Sequence, residues 1–142
     1  MLTPVAFWDA SVLVTLCVNQ APTPRALIFE SQYRIAVWWA TQVEIASALA
    51  YSLRRREITP TEYAQAKLQS DGLASLWSVV QPSPKVARDA RALLELYPLR
   101  AADALQLAAA LEWCEGKPKG EIFLSFDKRL REAAELAGFA LE

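Results

Sequence analysis

The sequence predicts an α/β fold in which a central, mainly parallel sheet of about four or five short strands is flanked by helices. Three observations carry that prediction. Short apolar runs of strand length, beginning with Val5-Ala6-Phe7-Trp8, alternate with longer stretches that repeat at the helical period. Hydrophobic residues make up 54% of the chain and glycines number only 4, a composition that suits a compact, helix-rich globule and argues against disorder. Finally, 142 residues are enough for one domain, residues 1–142, to bury its own core without disulfides or a structural metal.

The elements follow in order. Val5-Ala6-Phe7-Trp8 reads as a buried strand running into Asp9, and residues 11–19 carry Val12, Leu13, Leu16 and Cys17 at amphipathic helical spacing. Pro22 and Pro24 break the chain and open a second helix through Ala26, Leu27 and Ile28. Residues 35–38 form the second strand. Thr41 is the expected N-cap of the next helix, with Glu44 completing a T-x-x-E capping box ahead of Ile45, Leu49 and Leu53. Arg54-Arg55-Arg56 closes that helix, where positive charge complements the dipole.

Thr59-Pro60-Thr61-Glu62 is a second capping box, opening a helix expected to reach about Trp77. Ser78-Val79-Val80 is a third strand, Ser83-Pro84 starts a helix to Tyr97, and Pro98 ends it. An Ala/Leu-rich helix over 99–111 carries one acid, Asp103, near its start. Residues 122–124 form a further strand ending in Ser125-Phe126-Asp127. Residues 128–137 read as a helix that Gly138 caps, and residues 139–141 as a last edge strand.

Composition excludes much chemistry. The chain has 0 histidines, so no Ser-His-Asp triad, Cys-His pair, His-dependent ribonuclease mechanism or His-ligated zinc is available. Its 4 glycines form neither a P-loop nor a G-x-G-x-x-G turn. Cys17 and Cys114 sit among apolar residues and are expected to be buried free thiols, which fits a reducing, cytoplasmic setting. No apolar run has the length of a bilayer span and no signal peptide is evident. Carboxylate chemistry remains.

Four acids qualify: Asp9, Glu44, Asp103 and Asp127. Three of them follow strand ends, and in a parallel sheet those ends share one edge, where ligand sites of open α/β sheets lie. Asp103 opens a helix that can face the same edge. Each also has a plain structural explanation, as a cap or a favourable charge in a first helical turn. Against this stands the company of Asp103, since a carboxylate in an almost wholly apolar helix needs a cation or several donors.

Four motifs, in order, resemble the PIN domain, and specifically the VapC-type toxin ribonucleases of bacterial and archaeal toxin–antitoxin pairs. They are Trp8-Asp9-Ala10-Ser11, Thr41-Gln42-Val43-Glu44, the stretch Leu99-Arg100-Ala101-Ala102-Asp103-Ala104-Leu105-Gln106-Leu107-Ala108, and Phe123-Leu124-Ser125-Phe126-Asp127-Lys128-Arg129-Leu130. The resemblance spans essentially the whole chain and implies a PIN-like three-layer sandwich. It implies a metal-dependent endoribonuclease using Mg²⁺ or Mn²⁺, held by Asp9, Asp103, Glu44 and Asp127. Asp9 and Asp103 are expected to touch metal directly, and Glu44 and Asp127 to hold a second ion or orient the attacking water. Ser11 and Ser125 are the polar neighbours, and Arg100, Lys128 and Arg129 are candidate contacts to RNA phosphates. One departure is Gln106, at a position often occupied by His in these toxins.

The donor chemistry agrees, because Mg²⁺ and Mn²⁺ prefer hard oxygen ligands and usually keep waters and substrate phosphate in their shell. The resemblance also implies a cognate antitoxin protein as partner and a homodimer, while the lack of a long apolar run leads us to expect no membrane association. Two other readings stay open: a housekeeping PIN nuclease in RNA processing, and a non-catalytic PIN-like binding module. A phosphate-transfer enzyme of the haloacid-dehalogenase type wants a second Asp two residues after Asp9, where this chain has Ser11.

Overall fold

A computed structural model of the chain describes residues 2–142. Along the chain the elements are β1 (Val5–Trp8), α1 (Ala10–Cys17), α2 (Thr23–Gln32), β2 (Arg34–Trp38), α3 (Thr41–Arg54), α4 (Pro60–Ala74), β3 (Ser78–Val80), α5 (Pro84–Leu96), α6 (Ala101–Trp113), β4 (Phe123–Leu124) and α7 (Lys128–Ala137). The sheet has the order β3-β2-β1-β4 and every neighbouring pair is parallel. All four strands therefore end on one edge, which receives Asp9, Trp39, Gln81 and Ser125.

Alternation along the strands divides the core into two apolar layers. Phe7, Ala36, Trp38 and Phe123 pack with α5, α6 and α7, through Val86, Ala90, Leu107, Ala108, Leu130 and Ala134. Ala6, Trp8, Val37 and Leu124 face the other way, onto α1–α4 through Leu13, Phe29, Ile45, Leu49 and Ala66. This is the three-layer sandwich, and each large side chain fully buried in it contributes on the order of 2 kcal/mol. Small residues Ala104, Ala108, Ala109 and Ala110 let α6 run close beneath the sheet and against α5.

Local signals explain most boundaries. Thr59 and Glu62 form a reciprocal capping box at α4, with Pro60 at the first helical position. Ser83 Oγ accepts from Val86 N at 3.2 Å to start α5. Gly138 ends α7 at φ +115, where a Cβ would sit 2.9 Å from Pro118 Cγ.

Four expectations are corrected. Thr41 is not an N-cap: Ala40 holds that position with no side-chain cap bond, and Thr41 lies inside α3, buried. The helix begins one residue early because the turn at Trp39 and Ala40 is pinned by Trp39 N donating to Val80 O. Helix α4 stops at Ala74, freeing Trp77 to pack against the α1–α4 layer. The last edge strand shrinks to one parallel bridge, Ile122 with Ala140. Cys17 and Cys114 are free thiols but only half-buried. Trp38, the last residue of β2, is 5% exposed, while Trp39, in the turn after it, is 53% exposed.

Candidate active site

Asp9 occupies the junction of β1 and α1 with extended backbone, φ −81 and ψ 153, and its side chain is 5% exposed. A carboxylate so enclosed needs donors. Ser11 Oγ donates to Asp9 Oδ2 at 2.6 Å and Ser125 Oγ donates to the same oxygen at 2.9 Å. Backbone fixes the direction of both bonds: Phe126 N donates to Ser11 Oγ at 2.9 Å and Asp127 N to Ser125 Oγ at 3.0 Å. With each hydroxyl already accepting an N–H, its own proton is free for the carboxylate. The pair thus clamps the end of β1 to the loop after β4, and Arg131 Nη1 braces that loop by donating to Ser125 O at 3.0 Å. Burial pushes the Asp9 carboxyl above its ordinary value, and the two hydroxyls only partly oppose the rise.

Glu44 sits in the first turn of α3, half-buried. It caps nothing. Instead Gln106 Nε2 donates to Glu44 Oε1 and Oε2, at 3.2 Å each, and to Thr41 Oγ1 at 3.1 Å. Burial pushes the Glu44 carboxyl up to about 7, opposed by the Gln106 amide and reinforced by the charges of Asp9 and Asp103. Asp103, in the first turn of α6, is half-buried and also raised. Its causes are burial first, then the charges of Asp127 and Asp9, with Arg100 pulling the other way.

Asp127 precedes α7, where one oxygen, Oδ1, accepts from Leu130 N at 3.0 Å as a helix cap. It also lines a cavity of about 550 Å³ with Arg100, Ala102, Asp103, Lys128 and Arg129. Two acids and three cations thus line the same cavity.

The four sequence-nominated acids therefore meet at the strand-end edge, near enough for their charges to act on one another. They are not packed into a cage: among the described residues, no three His, Cys, Asp or Glu side chains are gathered closely enough to ligate one ion. The two observations are compatible with a hard, hydrated dication. Mg²⁺ is usually held by one or two carboxylates, the rest of its shell being water and substrate phosphate. An all-oxygen donor set whose carboxyls repel one another fits such an ion.

Sequence reasoning missed what Gln106 and Thr41 do. Gln106 is read there only as a departure from a family pattern, whereas it is wholly enclosed and bonded to Glu44, 62 positions away. The one available signal was a polar amide in an Ala/Leu helix, three residues after Asp103.

Comparison with known proteins follows the same line. A Mycobacterium tuberculosis protein named Ribonuclease VapC45 is 28% identical over 144 residues, covering 95% of this chain and 92% of that protein. Two solved structures share the fold. FitAcB from Neisseria gonorrhoeae gives a TM-score of 0.67 at 15% identity, covering 96% of this chain and 97% of that one. A toxin–antitoxin complex from Klebsiella pneumoniae gives 0.61 at 19% identity, covering 87% and 88%. The sequence profile described as PIN domain matches residues 6–136, from the second residue of β1 to the penultimate residue of α7, and the chain belongs to the PIN domain family.

Proposed function

We propose that this chain is a metal-dependent endoribonuclease that hydrolyses RNA phosphodiester bonds, and that it is the toxin of a toxin–antitoxin pair. What carries the reading is one observation: Asp9, Glu44, Asp103 and Asp127 gather at the strand-end edge, where burial first and then the charges of neighbouring acids raise the Glu44 and Asp103 carboxyls, beside a cavity rimmed by Arg100, Lys128 and Arg129. Mutual repulsion of this kind is a stability liability unless a cation relieves it. The ribonuclease name of the mycobacterial relative and the toxin–antitoxin complex among the fold neighbours support the same conclusion.

In this mechanism Asp9 and Asp103 hold Mg²⁺ or Mn²⁺, and Glu44 and Asp127 hold a second ion or orient the attacking water. When bound, the metal supplies a Lewis acid for the phosphoryl oxygens and lowers the pKa of a water. The chain's own residues do the rest. Ser11 and Ser125 fix the rotamer of Asp9, so its carboxylate meets the reacting centre without reorganising. Arg100, Lys128 and Arg129, all exposed around the cavity, receive flanking phosphates and set the register of the strand. Asp127 lines the same cavity while its Oδ1 caps α7, which leaves its second oxygen uncommitted to the cap. The antitoxin, a homodimer with two sites side by side, and cytoplasmic residence belong to the same proposal. Among the described residues no helix is long and apolar enough to cross a membrane.

The test is RNA cleavage by the purified chain with Mg²⁺, with Mn²⁺ and with EDTA, alongside Asp9→Asn and Asp103→Asn. Metal-requiring cleavage that both folded variants lose is the expected result. An absence of cleavage with every metal, together with no metal-induced rise in melting temperature, refutes it.

A further inference from the structure

Gln106 is an anomaly in its surroundings. Leu105, Leu107, Ala108, Ala109 and Ala110 make this part of α6 apolar, yet Gln106 is 0% exposed and its Oε1 is buried with no hydrogen-bond partner. A core position that only needed filling would take Leu, which has similar bulk and leaves no acceptor unsatisfied. The amide is instead committed through its nitrogen. One Nε2 proton reaches Thr41 Oγ1 at 3.1 Å, and the other is shared between the two Glu44 oxygens at 3.2 Å each. The orientation follows from chemistry, because a carboxylate accepts only, so Glu44 requires the amide's donor side.

Position adds a second point. Gln106 lies three residues after Asp103, hence on the same face of α6 and one turn deeper. One rigid helix thereby supplies an acid to the cleft and, beneath it, the donor that holds a second acid from α3. Thr41, buried in the first turn of α3, gives the amide a fixed anchor on the Glu44 helix itself.

From this geometry we infer that Gln106 is a positioning residue for the reaction: it locks the Glu44 carboxylate and couples it to the helix that carries Asp103. The inference rests on the nuclease reading above and goes beyond it by assigning a role to a residue outside the acidic set. Donors of this kind, behind a ligating carboxylate, are worth about 10–100-fold in metal affinity or activity.

The experiment is a double-mutant cycle on the full chain, with Mn²⁺ alone as the probe in titration calorimetry and RNA cleavage measured in parallel. Gln106→Leu removes the donor and keeps the bulk, Gln106→His restores an N–H donor, and each is compared in the wild-type and Glu44→Gln backgrounds. Expected is a loss of Mn²⁺ affinity of about 10-fold or more for Gln106→Leu in the wild-type background, partial rescue by Gln106→His, and no further loss when Glu44 is already Gln. Cleavage should fall in kcat rather than KM. A purely structural Gln106 would change melting temperature equally in both backgrounds and leave Mn²⁺ affinity alone. If wild type binds Mn²⁺ and cuts RNA while Gln106→Leu does both equally well, or loses affinity equally in both backgrounds, the positioning role is overturned. If wild type does neither, the nuclease reading itself falls and takes this role with it.

Discussion

Replacing Glu44 by Gln should stabilise the metal-free protein. Burial and the charges of Asp9 and Asp103 move this carboxyl from its ordinary value of 4.5 to about 7. Each unit corresponds to about 1.4 kcal/mol, so the whole shift is equivalent to about 3 kcal/mol of strain in the ionised folded state. Solvent reaches part of the half-buried side chain and screens it, which reduces the figure to roughly 1–2 kcal/mol. The sign is set by linkage. Folded protein keeps the proton to higher pH than the unfolded chain, so stability falls as pH rises from about 4.5 to about 7 and stays low above that. Gln at this position is neutral and still accepts from Gln106 through its own oxygen. In EDTA at pH 8, Glu44→Gln should therefore melt about 3–8 °C above wild type, with the gap closing toward pH 5. Calorimetric melts across that pH range read both quantities. A variant that melts at or below wild type at pH 8, or a gap that does not depend on pH, refutes the electrostatic account of the site.

Four further substitutions have outcomes that follow from other parts of the structure. Ser11→Ala strips Asp9 of its 2.6 Å donor and leaves Phe126 N without its acceptor, so melting should drop by about 6–10 °C, corresponding to about 2–3 kcal/mol; a shift near zero means the clamp does not hold the loop. Gly138→Ala places a side chain at φ +115 and 2.9 Å from Pro118 Cγ, and should destabilise by about 1–3 kcal/mol in denaturant titration. Gly72→Ala, in α4 with nothing within 4 Å, should instead stabilise by about 1 kcal/mol, and the opposite signs are the check. Arg100→Ala should raise KM for RNA and reduce the salt slope of binding by about one, with kcat retained, as measured by cleavage at several salt concentrations.

The sequence made visible what is decided locally. Thr59 with Glu62, Ser83 with Pro84, and Gly138 mark helix ends through contacts only a few residues long, and all three are found where the pattern puts them. The four-strand order was implicit in alternation and strand–helix succession, but the missing fifth strand was not. Residues 139–141 look apolar enough for a strand, yet the chain turns back beside Ile122 for a single bridge. Thr41 and Glu44 show how a local rule fails. Their spacing is that of a capping box, but α6 offers a buried amide that competes for both side chains, and no window short enough to reveal a cap contains residue 106. The acids themselves were legible because a parallel sheet gathers strand ends. The donors that orient them were legible only in part, since Ser125 meets Asp9 across 116 positions.

The sheet order carries a consequence for biosynthesis. Strand β1 is central and made first, while β4, its neighbour on one side, comes after every other strand and pairs Phe7 with Phe123. During translation β1 can pair with β2 and β2 with β3, but one flank of β1 stays open and Asp9 lacks its Ser125 donor until residues 123–125 have left the ribosome. Long-range parallel pairing of this kind is also slow. A nascent chain therefore carries an incomplete site until β4 and Ser125 have emerged, and whatever chemistry the finished protein performs waits on that late segment, a delay written into the order of its strands.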